Sequence, residues 1–247
     1  MALHSSTNHV QIASLEDLPS GAAKSGSLAL VHGSEDSLTP TVLRSLESEF
    51  DQIYFVQSAD VIDFSGVDGI ISVTRFAAIG FSLDTSHAVA IAENLAELSV
   101  LYLDNNRMAA AGLRAISEIE TLTSLHVANN GVGRGVAALE SLWQLTDLDI
   151  SHNSLGGDKI LALGELGNLV HLTIDSCHIY AKNLHTLGRL PKLRYLSIKD
   201  NNIGDDGALA LSEVASLREL DVTGNNITAK GIEKLQGLPH LTSLSTE

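Results

Sequence analysis

The sequence is poor in cysteine, since Cys177 is the only one among 247 residues. One thiol cannot form an internal disulfide, so the sequence favours a reducing compartment over an extracellular one. No apolar run approaches the ~18 residues that span a membrane as a helix. The opening stretch MALHSSTNHVQIASL contains neither a basic segment nor an apolar core, so we expect no signal peptide.

Basic residues are also scarce. The chain has 15 lysines and arginines against 30 aspartates and glutamates, which gives a formal net charge of −15. An excess of negative charge argues against nucleic acid and anionic membranes as partners. It favours instead a protein partner with a basic surface.

What the sequence does contain is a repeated phrase, L-x-x-L-x-L-x-x-N. In one copy, Leu193, Leu196 and Ile198 are the apolar positions and Asn201 is the last residue. A period of about 24 residues predicts a solenoid. The phrase begins at Leu98, Leu122, Leu145, Leu169, Leu193 and Leu217, and a shorter copy begins at Leu241.

The spacing within the phrase predicts a short strand. Leu196 and Ile198 lie two residues apart and so face the core together, whereas Ser197 faces away. Each strand lies parallel to the next copy at about 4.8 Å. The asparagine at the strand exit can bond backbone groups of its own coil and of the next coil. Cys177 takes the asparagine place in one copy, and we expect it to be buried and structural rather than reactive.

The phrase resembles that of the leucine-rich repeat family, and the likeness covers the chain from Leu98 onward. The second half of the unit starting at Leu193 continues with Ile203, Gly207, Leu211 and Val214. The stretch 207–210, Gly-Ala-Leu-Ala, is similar to the bacterial GALA-type repeats. The resemblance implies an α/β horseshoe of nine or ten coils, with a parallel sheet on the concave face and short helices on the convex face.

The sequence predicts three divisions: an N-terminal cap at 1–24, degenerate repeats at 25–97 and regular repeats at 98–247. Phenylalanine replaces leucine in the middle division. The alternative is a separate N-terminal interaction module. The degenerate strand sites are Leu28 and Leu30, then Phe50, Ile53 and Phe55, then Phe76, Ile79 and Phe81, with the asparagine place at Gly33, Ser58 and Asp84. In the last of these coils the outward positions are Ala78, Gly80, Ser82 and Leu83.

A run of glycines, Gly131, Gly133 and Gly135, follows one predicted strand and precedes a helical stretch. This spacing superficially fits a dinucleotide-binding turn. The equivalent place in the other copies is an ordinary turn, and a solenoid coil offers no crevice for a pyrophosphate. We therefore expect no nucleotide and no other cofactor.

The residues between the leucines are predicted to share one concave face of the sheet. From Tyr102 onward this face is acidic, and its only lysine is Lys199. Register predicts that His126 lies beside Asp149 and that Asp147 lies beside His171. The alternative is that these charges only keep an exposed sheet solvated. The predicted partner-binding residues are Tyr102, Asp104, His126, Asp147, Asp149, His152, His171, Asp175, Tyr195, Lys199, Asp200, Glu219 and Asp221.

The leading hypothesis is a non-enzymatic module that recognises a protein through this acidic face. We expect no catalytic residues and no metal site, because a flat ladder gives parallel rather than converging side chains. The resemblance implies a bacterial effector, either cytoplasmic or secreted without a signal peptide into a host cytoplasm. The alternative is an adaptor that selects substrates for a larger assembly such as a ubiquitin ligase. The last strand phrase ends at Glu247, so we expect its open edge to permit edge-mediated dimers.

Overall fold

The computed structural model describes the backbone of three strands, at residues 9–12, 28–31 and 52–56, and residues 73–247. Eleven strands form one parallel sheet in which each strand pairs with the next along the chain. This architecture confirms the predicted α/β solenoid. The strands are β1 His9–Ile12, β2 Leu28–Val31, β3 Gln52–Val56, β4 Arg75–Ile79, β5 Val100–Tyr102, β6 Ser124–His126, β7 Asp147–Asp149, β8 His171–Thr173, β9 Tyr195–Ser197, β10 Glu219–Asp221 and β11 Ser243–Ser245.

The linking segments on the convex side are of two kinds. Some are α-helical and others are 3₁₀-helical, where the sequence predicted short helices throughout. A 3₁₀ segment turns more tightly than an α-helix, because its hydrogen bonds join residues three rather than four positions apart. Within residues 73–247 the α-helices are Thr85–Asn94, Ala109–Ile116, Gly156–Lys159, Gly204–Leu211 and Ala229–Gln236, and the 3₁₀ segments are Gly133–Ser141, Ile160–Glu165 and Ala181–Arg189.

The regular repeats pair in the predicted register. Leu196 lies level with Leu172 on one side and with Leu220 on the other. Leu172, Leu196 and Leu220 are at most 2% exposed and belong to one continuous apolar core. Burial of such a leucine side chain contributes roughly 1.5–3 kcal/mol each. The core thus runs along the solenoid under the strands and fixes which residues face outward.

The predicted register is wrong by three residues in the coil of β4. Phe76 pairs with Leu101, so Phe76 holds the second leucine place and Val73 the first. The asparagine place is then Phe81, which is 5% exposed, rather than Asp84. Asp84 instead caps the helix Thr85–Asn94, and its side chain accepts hydrogen bonds from the backbone N–H groups of Ser86 and His87.

The outward positions of this coil change with the register. The residues in line with the outward residues of β5 are Arg75, Ala77, Ile79 and Gly80, not Ala78, Gly80, Ser82 and Leu83. The pairing of β2 also differs from the prediction, because Leu28 and Leu30 lie level with Gln52 and Tyr54 rather than with Ile53 and Phe55.

The N-terminal part of the chain is described only by its strands. Strand β1 lies within the predicted cap, residues 1–24, and the described strands number eleven where the sequence indicated nine or ten coils. The predicted sites at Gly33, Phe50 and Ser58 lie outside the described residues. The divisions at residues 24 and 97 therefore stay predictions.

Candidate functional site

The concave face of β5–β10 consists of rows of side chains that run across the strands. One row contains Tyr102, His126 and Asp149, which pair on adjacent strands, and it continues through Thr173 and Ser197 to Asp221. A second row contains Asp147, His171 and Tyr195, followed by Glu219. A third row follows the strand exits, where parallel hydrogen bonds continue the ladder, and contains Asp104, Ala128, Ser151, Asp175, Lys199 and Thr223.

The predicted pairing of Asp147 with His171 is confirmed. The Nδ1 atom of His171 lies 2.7 Å from Oδ1 of Asp147. The other oxygen of this carboxylate, Oδ2, accepts a hydrogen bond of 2.6 Å from the hydroxyl of Thr146. The imidazole also contacts the ring of Tyr195, with the ring centres 6.1 Å apart. These contacts fix the orientation of three neighbouring side chains in one row.

His126 lies beside Asp149, as the register predicted, but its ring contacts another residue. Its ring packs against Tyr102, with ring centres 4.4 Å apart and planes tilted by 42°. Within residues 73–247 the structure contains no hydrogen bond between His126 and Asp149, although the two lie side by side. Burial lowers the pKa of His126, against the opposing influence of the charges of Asp149 and Asp147. Burial thus favours the neutral form of His126.

Asp104 is a half-buried carboxylate beside this pair. Its Oδ1 atom accepts a hydrogen bond of 2.8 Å from the backbone N–H of Ala128. Burial raises the pKa of Asp104 to about 6; the bond from Ala128 opposes this rise and the negative charge of Asp149 adds to it. Ionised Asp104 is thus a group that a nearby positive charge would stabilise.

Lys199 lies between two carboxylates. Its Nζ atom is 3.4 Å from Oδ2 of Asp175 and 3.8 Å from Oδ2 of Asp221. The charge of Asp175 is the main cause that raises the pKa of Lys199. Asp175 also accepts hydrogen bonds from the hydroxyl of Ser197 at 2.6 Å and from the backbone N–H of Lys199 at 2.8 Å.

Two of the thirteen predicted residues do not lie in these rows. His152 and Asp200 stand in the turns after their strands, where both have positive φ angles of 59° and 54°. Both side chains are exposed. Eleven of the thirteen predicted residues thus lie in the three rows, and the other two follow the strand exits.

Sequence reasoning also missed residues that shape the face. Ser151 and Ser197 lie between core positions and were expected to face solvent, but they are 5% and 1% exposed. The hydroxyl of Ser151 accepts from the backbone N–H of Asp175, and that of Ser197 donates to the Asp175 carboxylate. Arg75 is an exposed basic residue level with Val100, next to the acidic part. Only the corrected register of β4 could have placed Arg75 here.

Within the described residues, no group of three or more histidine, cysteine, aspartate or glutamate side chains is arranged to hold a metal ion. Among the same residues, no helix has the length and apolar character needed to cross a membrane.

Comparison with protein families gives two adjacent matches. The family model described as "Leucine rich repeat" matches residues 167–227, and a model described as "Leucine Rich Repeat" matches residues 144–166. Both fall on coils whose strands and core are described above. The matches do not reach the GALA type, which stays an expectation. No curated protein matches the chain.

Among solved structures, the chain is similar to an internalin (InlF) from Listeria monocytogenes. The two are 17% identical with a TM-score of 0.62, and the alignment covers 90% of this chain and 74% of the internalin chain. It is also similar to the Arabidopsis receptor kinase HAESA, solved in complex with the peptide hormone IDA and the co-receptor SERK1. Here the identity is 15% and the TM-score 0.55, and the alignment covers 81% of this chain and 34% of the other.

These likenesses concern the fold. The two family matches identify residues 144–227 as leucine-rich repeats, and the parallel coils stacked on either side of them continue the same fold.

Proposed function

We propose that the chain is a non-enzymatic recognition module that binds a protein partner with a basic surface through the concave face of β5–β10. The observation that carries the proposal is the charge of this face. One lysine, Lys199, stands among six carboxylates, which are Asp104, Asp147, Asp149, Asp175, Glu219 and Asp221. A curved surface with this imbalance concentrates negative potential and attracts positive charge.

Ring contacts support the same proposal. The Tyr102 and His126 rings pack together on one side of Asp149, and His171 and Tyr195 contact each other on the other side of Asp147. A side chain that is already ordered loses little conformational entropy on binding. Tyrosines of this kind are common anchors at protein interfaces.

The likeness to HAESA is compatible with a protein partner. That receptor kinase was solved in complex with a peptide hormone and a co-receptor, so its chain binds peptide and protein. The likeness itself is to the fold alone. The charges of this chain's own concave face therefore indicate the chemistry of the partner.

For the biological role, the resemblance to GALA-type repeats favours a bacterial effector that is delivered to host cells. The alternative is an adaptor that selects substrates for a larger assembly. The identity of the bound protein separates the two roles. Components of a ubiquitin ligase would indicate an adaptor, and other host proteins an effector.

The proposal is tested by affinity capture followed by binding measurements with the purified partner. The variant Asp147→Asn, Asp149→Asn, Asp175→Asn removes three charges, and its amide oxygens can still accept the backbone hydrogen bonds made to Asp149 and Asp175. We expect at least about tenfold weaker binding by this variant.

The matched control is Glu118→Gln, Glu140→Gln, Glu213→Gln, which removes three exposed carboxylates outside the concave strands. It should bind like the wild type. An equal loss of affinity in both triple variants would mean that net charge alone causes the effect. No loss of affinity in the first variant would refute the proposal.

A further inference from the structure

Two places on the concave face have the same backbone arrangement. In the first, Asp175 follows β8 and Asp221 lies in β10, two strands away. Oδ1 of Asp175 accepts the backbone N–H of Lys199 at 2.8 Å, and Oδ1 of Asp221 accepts the backbone N–H of Thr223 at 3.0 Å. The side chain of Lys199, from the coil between them, places its Nζ between the two Oδ2 atoms.

The second place lies three coils earlier. Asp104 follows β5 and Asp149 lies in β7, again two strands apart. Oδ1 of Asp104 accepts the backbone N–H of Ala128 at 2.8 Å, and Oδ1 of Asp149 accepts the backbone N–H of Ser151 at 2.9 Å. The two carboxylates thus match Asp175 and Asp221 in row, in spacing and in the oxygen that the backbone engages.

The two places differ at the residues between the carboxylates. The middle coil contributes Lys199 and Ser197 in one place, and Ala128 and His126 in the other. A methyl group cannot reach the carboxylates or neutralise them. In the described part of the chain, no hydrogen bond or ion pair reaches Oδ2 of Asp104 or Oδ2 of Asp149.

We infer that Asp104 and Asp149, with Ala128 between them, form a slot for one lysine side chain of the partner, whose ammonium group takes the position that Lys199 holds in the equivalent coil. This inference rests on the proposed function, because it names the group that the acidic face binds. The packed rings of Tyr102 and His126 line one side of the slot, in the same row as Asp149.

The charges around the slot agree with this assignment. Burial and the charge of Asp149 raise the pKa of Asp104 to about 6, whereas the charge of Asp175 raises the pKa of Lys199. Positive charge is therefore held in one place and lacking in the other. A lysine that enters the slot stabilises ionised Asp104, so its binding releases protons near pH 6.

The test uses the whole chain and a small probe, N-acetyl-lysine methylamide, with N-acetyl-norleucine methylamide as its neutral control. Backbone amide NMR shifts are followed during titration at pH 7. We expect a saturable shift at Ala128 and Ser151 with the lysine probe alone. Shifts of equal size with the norleucine probe, or no saturable shift, would overturn the inference.

Two substitutions exchange the places and sharpen the result. Ala128→Lys supplies an internal ammonium group, so the shift at Ser151 should disappear. Lys199→Ala removes one, so a second saturable shift should arise at residue 199 and at Thr223. If Ala128→Lys still binds the probe at Ser151, or Lys199→Ala gains no second site, the equivalence of the two places is wrong.

The folded state of each variant is checked by its amide spectrum. Asp104→Asn provides an independent check, since its amide can still accept the Ala128 N–H while the slot loses a charge. It should weaken probe binding at Ser151 at least about tenfold. Failure of the slot would leave partner binding by the other carboxylates intact, whereas failure of partner capture would leave probe binding unchanged, so the two proposals can fail separately.

Discussion

Asparagine at the strand exit ties each regular coil to the coil before it. The Nδ2 atom of Asn201 donates to the carbonyls of Ile174, Ile198 and Lys199 at 2.8–3.1 Å. Its Oδ1 accepts from the backbone N–H groups of Cys177 and Ile179. These partners belong to its own and the preceding coil, whereas the sequence predicted its own and the next.

Replacement of this asparagine should be costly. Asn201→Ala leaves several buried backbone groups without partners, and we expect a loss of about 2–4 kcal/mol in the free energy of unfolding. Cys177→Ala is the matched control, because the thiol at the same place makes one weak bond of 3.3 Å to the carbonyl of Ile150. Its loss should be about 1 kcal/mol. Similar losses from both substitutions, measured by denaturant unfolding, would contradict the role assigned to the asparagines.

The raised pKa of Asp104 predicts that the free energy of unfolding depends on pH. Its pKa is about 6 in the folded chain against an ordinary 3.8. The folded state therefore binds the proton more tightly than the unfolded state, and the stability from this group falls as pH rises from about 4 to about 6. Asp104→Asn should remove this fall and raise the free energy of unfolding at pH 7 by on the order of 2 kcal/mol. Unfolding curves of both proteins at pH 4, 5, 6 and 7 check this, and parallel pH profiles would contradict it.

At the scale of elements, the glycine run has a packing role. A Cβ atom at Gly135 would lie 2.6 Å from the carbonyl oxygen of Ala110 in the helix Ala109–Ile116. One at Gly133 would meet the carbonyl oxygens of Asn153 and Ser154. The run that superficially fits a nucleotide-binding turn thus permits close approach between the 3₁₀ segment 133–141 and its neighbours.

This packing gives a prediction with a control in an equivalent segment. Gly135→Ala should lower the free energy of unfolding by about 1–3 kcal/mol, because backbone atoms must move. Gly188→Ala, in the 3₁₀ segment Ala181–Arg189, meets nothing within 4 Å. We expect it to be neutral or stabilising by up to about 1 kcal/mol. Thermal or denaturant unfolding of both variants measures these changes. A Gly135→Ala variant as stable as the wild type would contradict the close packing.

The strands also show where the sequence was sufficient to predict the register. In the regular coils only the core positions are consistently apolar, so a single register fits and the structure has it. In the coil of β4, Phe76, Ile79 and Phe81 match the phrase as well as Val73, Phe76 and Ala78 do. Both sets bury apolar groups, and only pairing with β5 selects the second. Apolar spacing alone cannot choose between two such registers.

The candidate site was predictable to a similar degree. The rows and the Asp147–His171 pair follow from the period, because strand register decides which side chains are neighbours. Burial of Ser151 and Ser197, the Tyr102–His126 contact and the turn positions of His152 and Asp200 depend on side-chain size and on backbone angles. The match between the Lys199 coil and the Ala128 coil became evident only from the backbone hydrogen bonds.

At the scale of the whole molecule, an acidic recognition face implies salt-sensitive binding. The Debye screening length falls from about 10 Å at 0.1 M salt to about 3 Å at 1 M. We expect the affinity for the partner to fall at least about tenfold over this range. The melting temperature in the same buffers is the control for stability. Affinity that does not change with salt would point to an apolar interface elsewhere.

The most direct test of the account is the dissociation constant of the purified partner for the Asp149→Asn variant. Asp149 lies at the centre of the face, next to His126 and two strands from Asp104. The account predicts binding at least about tenfold weaker than that of the wild type, while Glu213→Gln on the other side leaves it unchanged. An Asp149→Asn variant that binds the partner as tightly as the wild type would contradict it.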